Sequence, residues 1–302
     1  MLRILLLITL FFVNFSVYSE GNKYRSILII GHLYPLYDIF GDGADDKVNY
    51  VNLDNLRVLS NQISKFDNLK KVIFLGDTYV DDRESIYKLV DTELLAKINV
   101  PVIKIPGNHE IYNIDKFINS GGLKRGSFDI QNFRFLLYSP WELIDGLPQM
   151  QVTNDDIAYF KNNLDISKQN IILVTDMVHH NNANISGWRD KIVPILNQYK
   201  VEYVVIGDND QVQHRYSWVE VNDIKYIHQG IAQNYHLPNI NTFLEVQIFD
   251  DGLIKFIPHN IQFDGLSDVY ESSQVGYIKE PELRFFQKIY KLSKKIYYYF
   301  FS

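Results

Sequence analysis

Apolar residues come in short, dense runs that alternate with longer stretches of helical spacing. Ser26–Ile30 is such a run and ends at Gly31; Val72–Leu75 is another, closed by Gly76; Val102–Ile105 is a third, closed by Pro106 and Gly107. Runs of this length bounded by turn residues read as buried strands. Between them, Val51–Lys65 places Leu53, Leu56, Leu59 and Ile63 on one helical face, and Ser85–Ile98 does the same with Ile86, Leu89, Val90, Leu94 and Leu95. Strand, helix, strand, helix, strand predicts a largely parallel sheet with crossover helices, an α/β arrangement.

Further on, Phe128–Tyr138 alternates like a hairpin around Asn132. Asp155–Leu164 reads as a helix, Ile171–Thr175 as a buried strand, Arg189–Tyr199 as a helix, and Tyr203–Ile206 as a strand closed by Gly207. The pattern then changes. Tyr216–Val221, Lys225–His228, Thr242–Phe249 and Leu253–Ile257 are strands joined by polar turns such as Asn222-Asp223, which predicts antiparallel pairing.

The two ends differ from this body. Met1–Arg3 is a short positive segment and Ile4–Val13 is apolar apart from Thr9. Val17 and Ser19 stand three and one residues before a cleavage point at Glu20. That is the layout of a secretory signal peptide over 1–19, with an uncleaved anchor as the alternative; the run is short against the roughly 20 residues of a spanning helix. The expected location is therefore exported: periplasmic, secreted or membrane-associated. Residues 24–262 form the expected domain and 263–302 a C-terminal extension. From Glu280 that extension is helical in pattern, basic and aromatic. It reads either as a helix docked on the domain or as one lying on a membrane surface, so peripheral membrane contact through 280–302 is an expectation.

Composition narrows the chemistry. The 302 residues carry a formal net charge of -6, and no basic face of the kind that neutralises nucleic-acid phosphates stands out, so no nucleic-acid partner is expected. There are no cysteines, which excludes disulfides, zinc–thiolate sites and thiol nucleophiles.

Polar clusters follow the strand-like runs: Gly31-His32-Leu33-Tyr34, Gly76-Asp77-Thr78-Tyr79, Gly107-Asn108-His109-Glu110, Thr175-Asp176-Met177-Val178-His179-His180 and Gly207-Asp208-Asn209-Asp210. Ligands of open α/β sheets bind outside the carboxyl ends of strands, so these clusters are expected to converge. Oxygen and nitrogen donors without thiolate suit Mn, Fe, Zn or Mg. Taken singly, Gly-Asp after a strand is a turn or helix cap, and a lone histidine is an ordinary core residue.

Their order changes that reading. Gly76-Asp77, then Gly107-Asn-His-Glu110 about 30 residues on, then a His/Asp cluster, then Gly207-Asp208, resembles the calcineurin-like metallophosphoesterases over roughly Ser26–Pro258. The resemblance implies a two-sheet β-sandwich flanked by helices, of mixed α/β (α+β) class. It implies a phosphoester substrate and a pair of divalent metal ions. In it Asp77 bridges the metals, Asn108 ligates one, and His109 acts catalytically on the phosphate or leaving group. The family's DxH falls on His32-Leu33-Tyr34 and its GHxH on Gly207-Asp208-Asn209-Asp210, so both are rewritten. The metal set expected is His32, Asp77, Asn108, Asp208 and Asp210, with the strand-end ligand open between Asp176 and His179 or His180. Glu110 is expected to orient His109 or a ligand, and Tyr34 and His214 to contact substrate; Tyr79, like Tyr34, reads as a wall residue, with a phosphate contact or a ligand to a ferric ion as the alternatives. Carboxylates clustered without a cation would repel one another, so acquired Asp208 and Asp210 favour an altered cation site over a decayed one. The expected function is metal-dependent phosphoester hydrolysis. The alternative is a catalytically inactive exported protein that binds a glycan, a lipid headgroup or a partner protein.

Overall fold

A computed structural model describes residues 23–33, 53–79, 82–176, 178, 187–207, 216–229, 242–261 and 276–277. The leader over 1–19 and all of the C-terminal extension except 276–277 lie outside the described residues.

Helices and strands appear where the apolar spacing puts them. Strands β1 (Tyr24–Ile30), β2 (Leu69–Leu75) and β3 (Val102–Ile105) pair in parallel. Helix α1 (Leu53–Ile63) connects the first two, and α2 (Glu84–Glu93) the last two. Strands β12 (Thr242–Phe249) and β13 (Ile254–Asn260) add antiparallel to β1, giving a five-stranded sheet of order β13-β12-β1-β2-β3.

The second sheet has seven strands in the order β14-β10-β11-β9-β8-β5-β4. Its centre is parallel: β5 (Phe133–Tyr138), β8 (Gln169–Val174), β9 (Tyr203–Ile206) and β11 (Ile224–His228). Its flanks are β4 (Arg125–Ile130), antiparallel to β5, and β10 (Ser217–Val221), antiparallel to β11, with β14 (Gly276–Tyr277) beyond β10. Helices α4 (Asn154–Asn163) and α5 (Val193–Gln198) cover this sheet, the latter entered through a π-helical turn at Trp188–Ile192. The expected helix over Arg189–Tyr199 is thus regular only in its second half. A short α3 (Ile114–Asn119) and a hairpin of β6 (Trp141–Ile144) with β7 (Leu147–Met150) complete the described elements.

Side-chain alternation on the strands builds three apolar layers. Ile27, Ile29, Ile73, Leu75, Leu244 and Val246 face Phe135, Leu137, Ile171, Leu173 and Val205 between the sheets. The opposite faces, with Leu28, Ile30, Val72 and Phe74 in one sheet and Leu136, Ile172, Val174 and Val204 in the other, pack under helices. Strands buried on both faces must be apolar at nearly every position, which is why they read as runs rather than alternations. The result is the expected two-sheet sandwich flanked by helices. Among the described residues no helix is long and apolar enough to cross a membrane.

Candidate metal centre

The carboxyl ends of the two sheets meet at glycines. A Cβ built on Gly31 would lie 2.1 Å from the Gly207 carbonyl oxygen and 2.2 Å from Gln229 Nε2. Real side chains do not approach so closely, so Gly31 lets the end of β1 rest directly on the ends of β9 and β11. The Gln229 amide donates to the same Gly207 oxygen at 2.8 Å and ties the contact from the β11 side. Beyond these glycines the chain leaves the sheets, and the polar clusters begin.

Three of those clusters come together. Asp77 follows β2 and is completely buried, with a left-handed backbone (φ 51°). His32 follows β1, is also buried, and has φ 52°. Non-glycine residues occupy this region at a cost of roughly 1–2 kcal/mol, so two of them side by side show that the surroundings hold these loops in place. His32 Nδ1 lies 3.3 Å from Asp77 Oδ2. From β3, the His109 backbone N–H donates to Asp77 Oδ1 at 3.2 Å. The Asn108 amide faces the same carboxylate. With its nitrogen toward Asp77 it donates to Oδ1 at 3.1 Å and Oδ2 at 3.0 Å. With its oxygen there, oxygens face one another and only a cation between them would make the arrangement favourable.

Glu110, expected to orient His109 or a ligand, bonds the backbone of the expected ligand Asp77 and of its neighbours. Its Oε1 accepts from the Tyr79 N–H at 2.8 Å, and its Oε2 accepts from the Gly107 N–H at 2.8 Å and the Asp77 N–H at 3.2 Å. It is a buried clamp joining the loop after β2 to the loop after β3. Backbone donors carry no sequence identity, so this partner set could not be read in advance. Burial and the nearby Asp77 charge push the Glu110 carboxyl up to about 8 despite those N–H groups. Burial also opposes ionisation of Asp77, but the hydrogen bond and charge of His32, with the charge and N–H of His109, outweigh it and hold Asp77 below the usual carboxylate range.

Tyr79 is buried in the helix-side core. Its hydroxyl donates to Asp91 at 2.7 Å and accepts from Lys104 at 2.8 Å, on the helix side of the sheet. His109 is partly exposed, as a group that meets a substrate must be. Asp176 follows Thr175 at the end of β8. Among the described residues no three His, Cys, Asp or Glu side chains gather closely enough to hold a metal, so Asp176 does not complete such a group with His32 and Asp77. The expected positions Tyr34, His179, His180, Asp208, Asp210 and His214 lie outside the described residues.

What is present fits part of a cation site. One carboxylate, one imidazole and one amide converge at buried strand ends; the amide is satisfied with its nitrogen toward Asp77, or with its oxygen there if a cation stands between them, and such mixed oxygen and nitrogen donors suit borderline or hard divalent ions.

The sequence profile of the calcineurin-like phosphoesterase family matches residues 26–211. Among solved structures, purple acid phosphatase PPD1 from yellow lupin (Lupinus luteus) seeds is similar, with 13% identity and a TM-score of 0.52; the match covers 88% of this chain and 55% of that one. The chain thus spans about half the length of the lupin phosphatase. GAP50, described as the anchor in the inner membrane complex of Plasmodium, is 14% identical with a TM-score of 0.50, over 83% of this chain and 93% of that one. At such identities the likeness is one of fold. No curated protein sequence matches.

Proposed function

The chain belongs to the calcineurin-like phosphoesterases, a family of metal-dependent phosphoester hydrolases, and from that premise we propose that it hydrolyses phosphoesters outside the cytoplasm. The observation that carries the reading is the convergence of Asp77, Asn108 and His32 at the ends of β2, β3 and β1. These residues would hold a divalent cation, with Asp176, His179, Asp208 and Asp210 as the sequence-derived candidates for the rest of a two-ion site. Bound cations in such a site lower the pKa of water and draw charge from phosphoryl oxygens.

The chain's own residues then have separate tasks. Asp77 supplies the negative charge at the centre, and its depressed pKa keeps it ionised. Glu110 holds the two motif loops at a fixed separation. His109, partly exposed and next to Asn108, donates a proton to the leaving oxygen. Tyr34 and His214 contact the phosphoryl group. The leader over 1–19 directs export, to a periplasmic, secreted or membrane-associated location, and the basic-aromatic segment 280–302 supports peripheral contact with a membrane.

One observation favours a second reading. With the Asn108 nitrogen turned toward Asp77, the carboxylate is met by Asn108, the His109 N–H and His32, and is satisfied without a cation. On that reading the chain is an inactive exported scaffold that binds a glycan, lipid headgroup or partner protein.

Elemental analysis separates the two. Protein purified with Mn present should retain roughly one or two divalent ions per chain, and Asp77→Asn should retain fewer. If wild type and variant are equally metal-free, the hydrolase reading fails. Turnover of p-nitrophenyl phosphate and of its bis-ester across a metal panel then distinguishes monoesterase from diesterase.

A further inference from the structure

Lys104 interrupts an apolar strand. In the run Val102-Ile-Lys-Ile105 it pairs across the sheet with Phe74 and is only 6% exposed. The apolar layer on the helix side of this sheet contains Val72, Phe74, Val90 and Phe117. An aliphatic side chain would fill such a position at lower cost, because burying an ammonium requires compensation at every donor.

Lys104 has that compensation. Nζ donates to the Tyr79 hydroxyl at 2.8 Å, to the Ser120 carbonyl at 2.7 Å and to Ser120 Oγ at 3.2 Å. Tyr79 passes the contact on, donating to Asp91 Oδ1 at 2.7 Å. The Tyr79 ring stacks on Tyr87, with centroids 3.8 Å apart and planes within 8°, and its backbone N–H is held by Glu110. Tyr79 is therefore fixed through its ring, its hydroxyl and its backbone. Lys104 lies on β3, two residues before Pro106-Gly107, and Tyr79 lies two residues after Asp77. A partly buried chain of polar contacts thus joins the two motif loops from beneath, anchored in α2 by Asp91 and at the end of α3 by Ser120.

We infer that Lys104, Tyr79 and Asp91 form a positioning network that sets the direction of the Asp77 carboxylate. Asp77 sits in the left-handed region between two anchors. Upstream, the Gly76 N–H donates to the Ile105 carbonyl at 3.0 Å; downstream stands Tyr79. Loosening the downstream anchor at the Tyr79 hydroxyl lets the Asp77 loop shift, which turns its oxygens away from Asn108 and His32. The network touches no ligand and acts only through the loop. The inference rests on the reading of Asp77 as a cation ligand.

The test is Mn(II) titration calorimetry on the full chain, with metal-free thermal midpoints recorded alongside. Tyr79→Phe keeps the stack on Tyr87 and removes the hydroxyl. Loss of indirect support of this kind is expected to weaken Mn affinity about 2- to 30-fold. Tyr159→Phe is the control: it loses hydroxyl contacts to the Gly126 and Leu137 carbonyls in the other sheet and should keep the wild-type Kd at a comparable thermal cost. If Tyr79→Phe does not fold, Asp91→Asn is read in the same way. A wild-type Kd in the Tyr79 or Asp91 variant overturns the network while leaving the site reading intact. Wild-type protein that takes up no Mn overturns the site reading, and the network falls with it.

Discussion

Replacing Gly107 by alanine tests how tightly the two motif loops are locked. A Cβ there would lie 2.1 Å from Asp77 Oδ1, 2.6 Å from the Asp77 backbone nitrogen and 2.7 Å from Asp77 Cγ. Relaxed contacts of this kind are about 3.5–4.0 Å, so the overlap exceeds an ångström at Oδ1 and is close to one or more at the backbone nitrogen and Cγ. Neither side can yield alone. The Gly107 and Asp77 N–H groups share Glu110 Oε2, and Asp77 Oδ1 accepts from His109. Making room means parting the loops and leaving buried donors unsatisfied, at about 1–3 kcal/mol each, on top of about 1–3 kcal/mol for overpacking. The expected loss is at least about 3 kcal/mol. Because the Gly107 backbone is not left-handed, this cost is steric. Gly146→Ala is the contrast: φ is 77° and nothing lies within 4 Å of the added carbon, so only the conformational cost of about 1–2 kcal/mol applies. Urea denaturation of both variants at a common m-value measures the difference. A Gly107→Ala protein within about 0.5 kcal/mol of wild type, the range of an ordinary surface change, would refute the close approach of the loops.

Two further outcomes follow from groups at and away from the site. Folding raises the Glu110 carboxyl from 4.5 to about 8, so the folded chain holds that proton more tightly than the unfolded one. Its stabilisation is complete below 4.5 and is lost as pH rises through about 8; Asp77, held low, acts oppositely and loses its contribution only as pH falls below the usual carboxylate range. The metal-free thermal midpoint, taken as wild type minus Glu110→Gln, should therefore decline across that window, and a flat difference would show that burial does not set the Glu110 proton affinity. Far from the site, Thr153 caps α4 reciprocally: its Oγ1 accepts from the Asp156 N–H at 3.2 Å, and the Thr153 N–H donates to Asp156 Oδ2 at 2.7 Å. Thr153→Ala should cost about 1 kcal/mol in urea denaturation without changing Mn uptake, and no measurable loss would mean that the cap is redundant.

What could be read from the sequence was what burial imposes on composition. Strands β1, β2, β8 and β9 are covered on both faces, so each is a continuous apolar run whose glycine or polar boundary marks where chemistry can start. The hairpin of β6 and β7 escaped notice for the opposite reason. Its residues are half-buried or exposed, so no apolar pattern marks it, although Asp145-Gly146 is a strong hairpin-turn pair. The clamp by Glu110 was hidden because its partners are backbone N–H groups. Lys104 was in view all along: a charge inside a run with strand character implies a buried partner set, and that is what the structure contains.

The rewritten first motif is the clearest case in which position and chemistry part. On the resemblance read from the sequence, His32 stands where the family carries an aspartate; the structure puts His32 against Asp77, with an imidazole nitrogen 3.3 Å from a carboxylate oxygen. Two carboxylates at that separation in a buried site would repel unless a cation stood between them. A protonated imidazole beside the same carboxylate attracts it; against the cost of burial, His32 together with His109 holds Asp77 below the usual carboxylate range. A protonated histidine in that place would relieve the repulsion that a metal otherwise offsets, while leaving nitrogen and oxygen donors where metal would bind. A sequence motif records ligand types but not whether the cluster needs a cation to be stable. That need is a property of the His32–Asp77 geometry, and it is why metal uptake by wild type and Asp77→Asn, rather than the motif match, discriminates a working hydrolase from a scaffold built on the same frame.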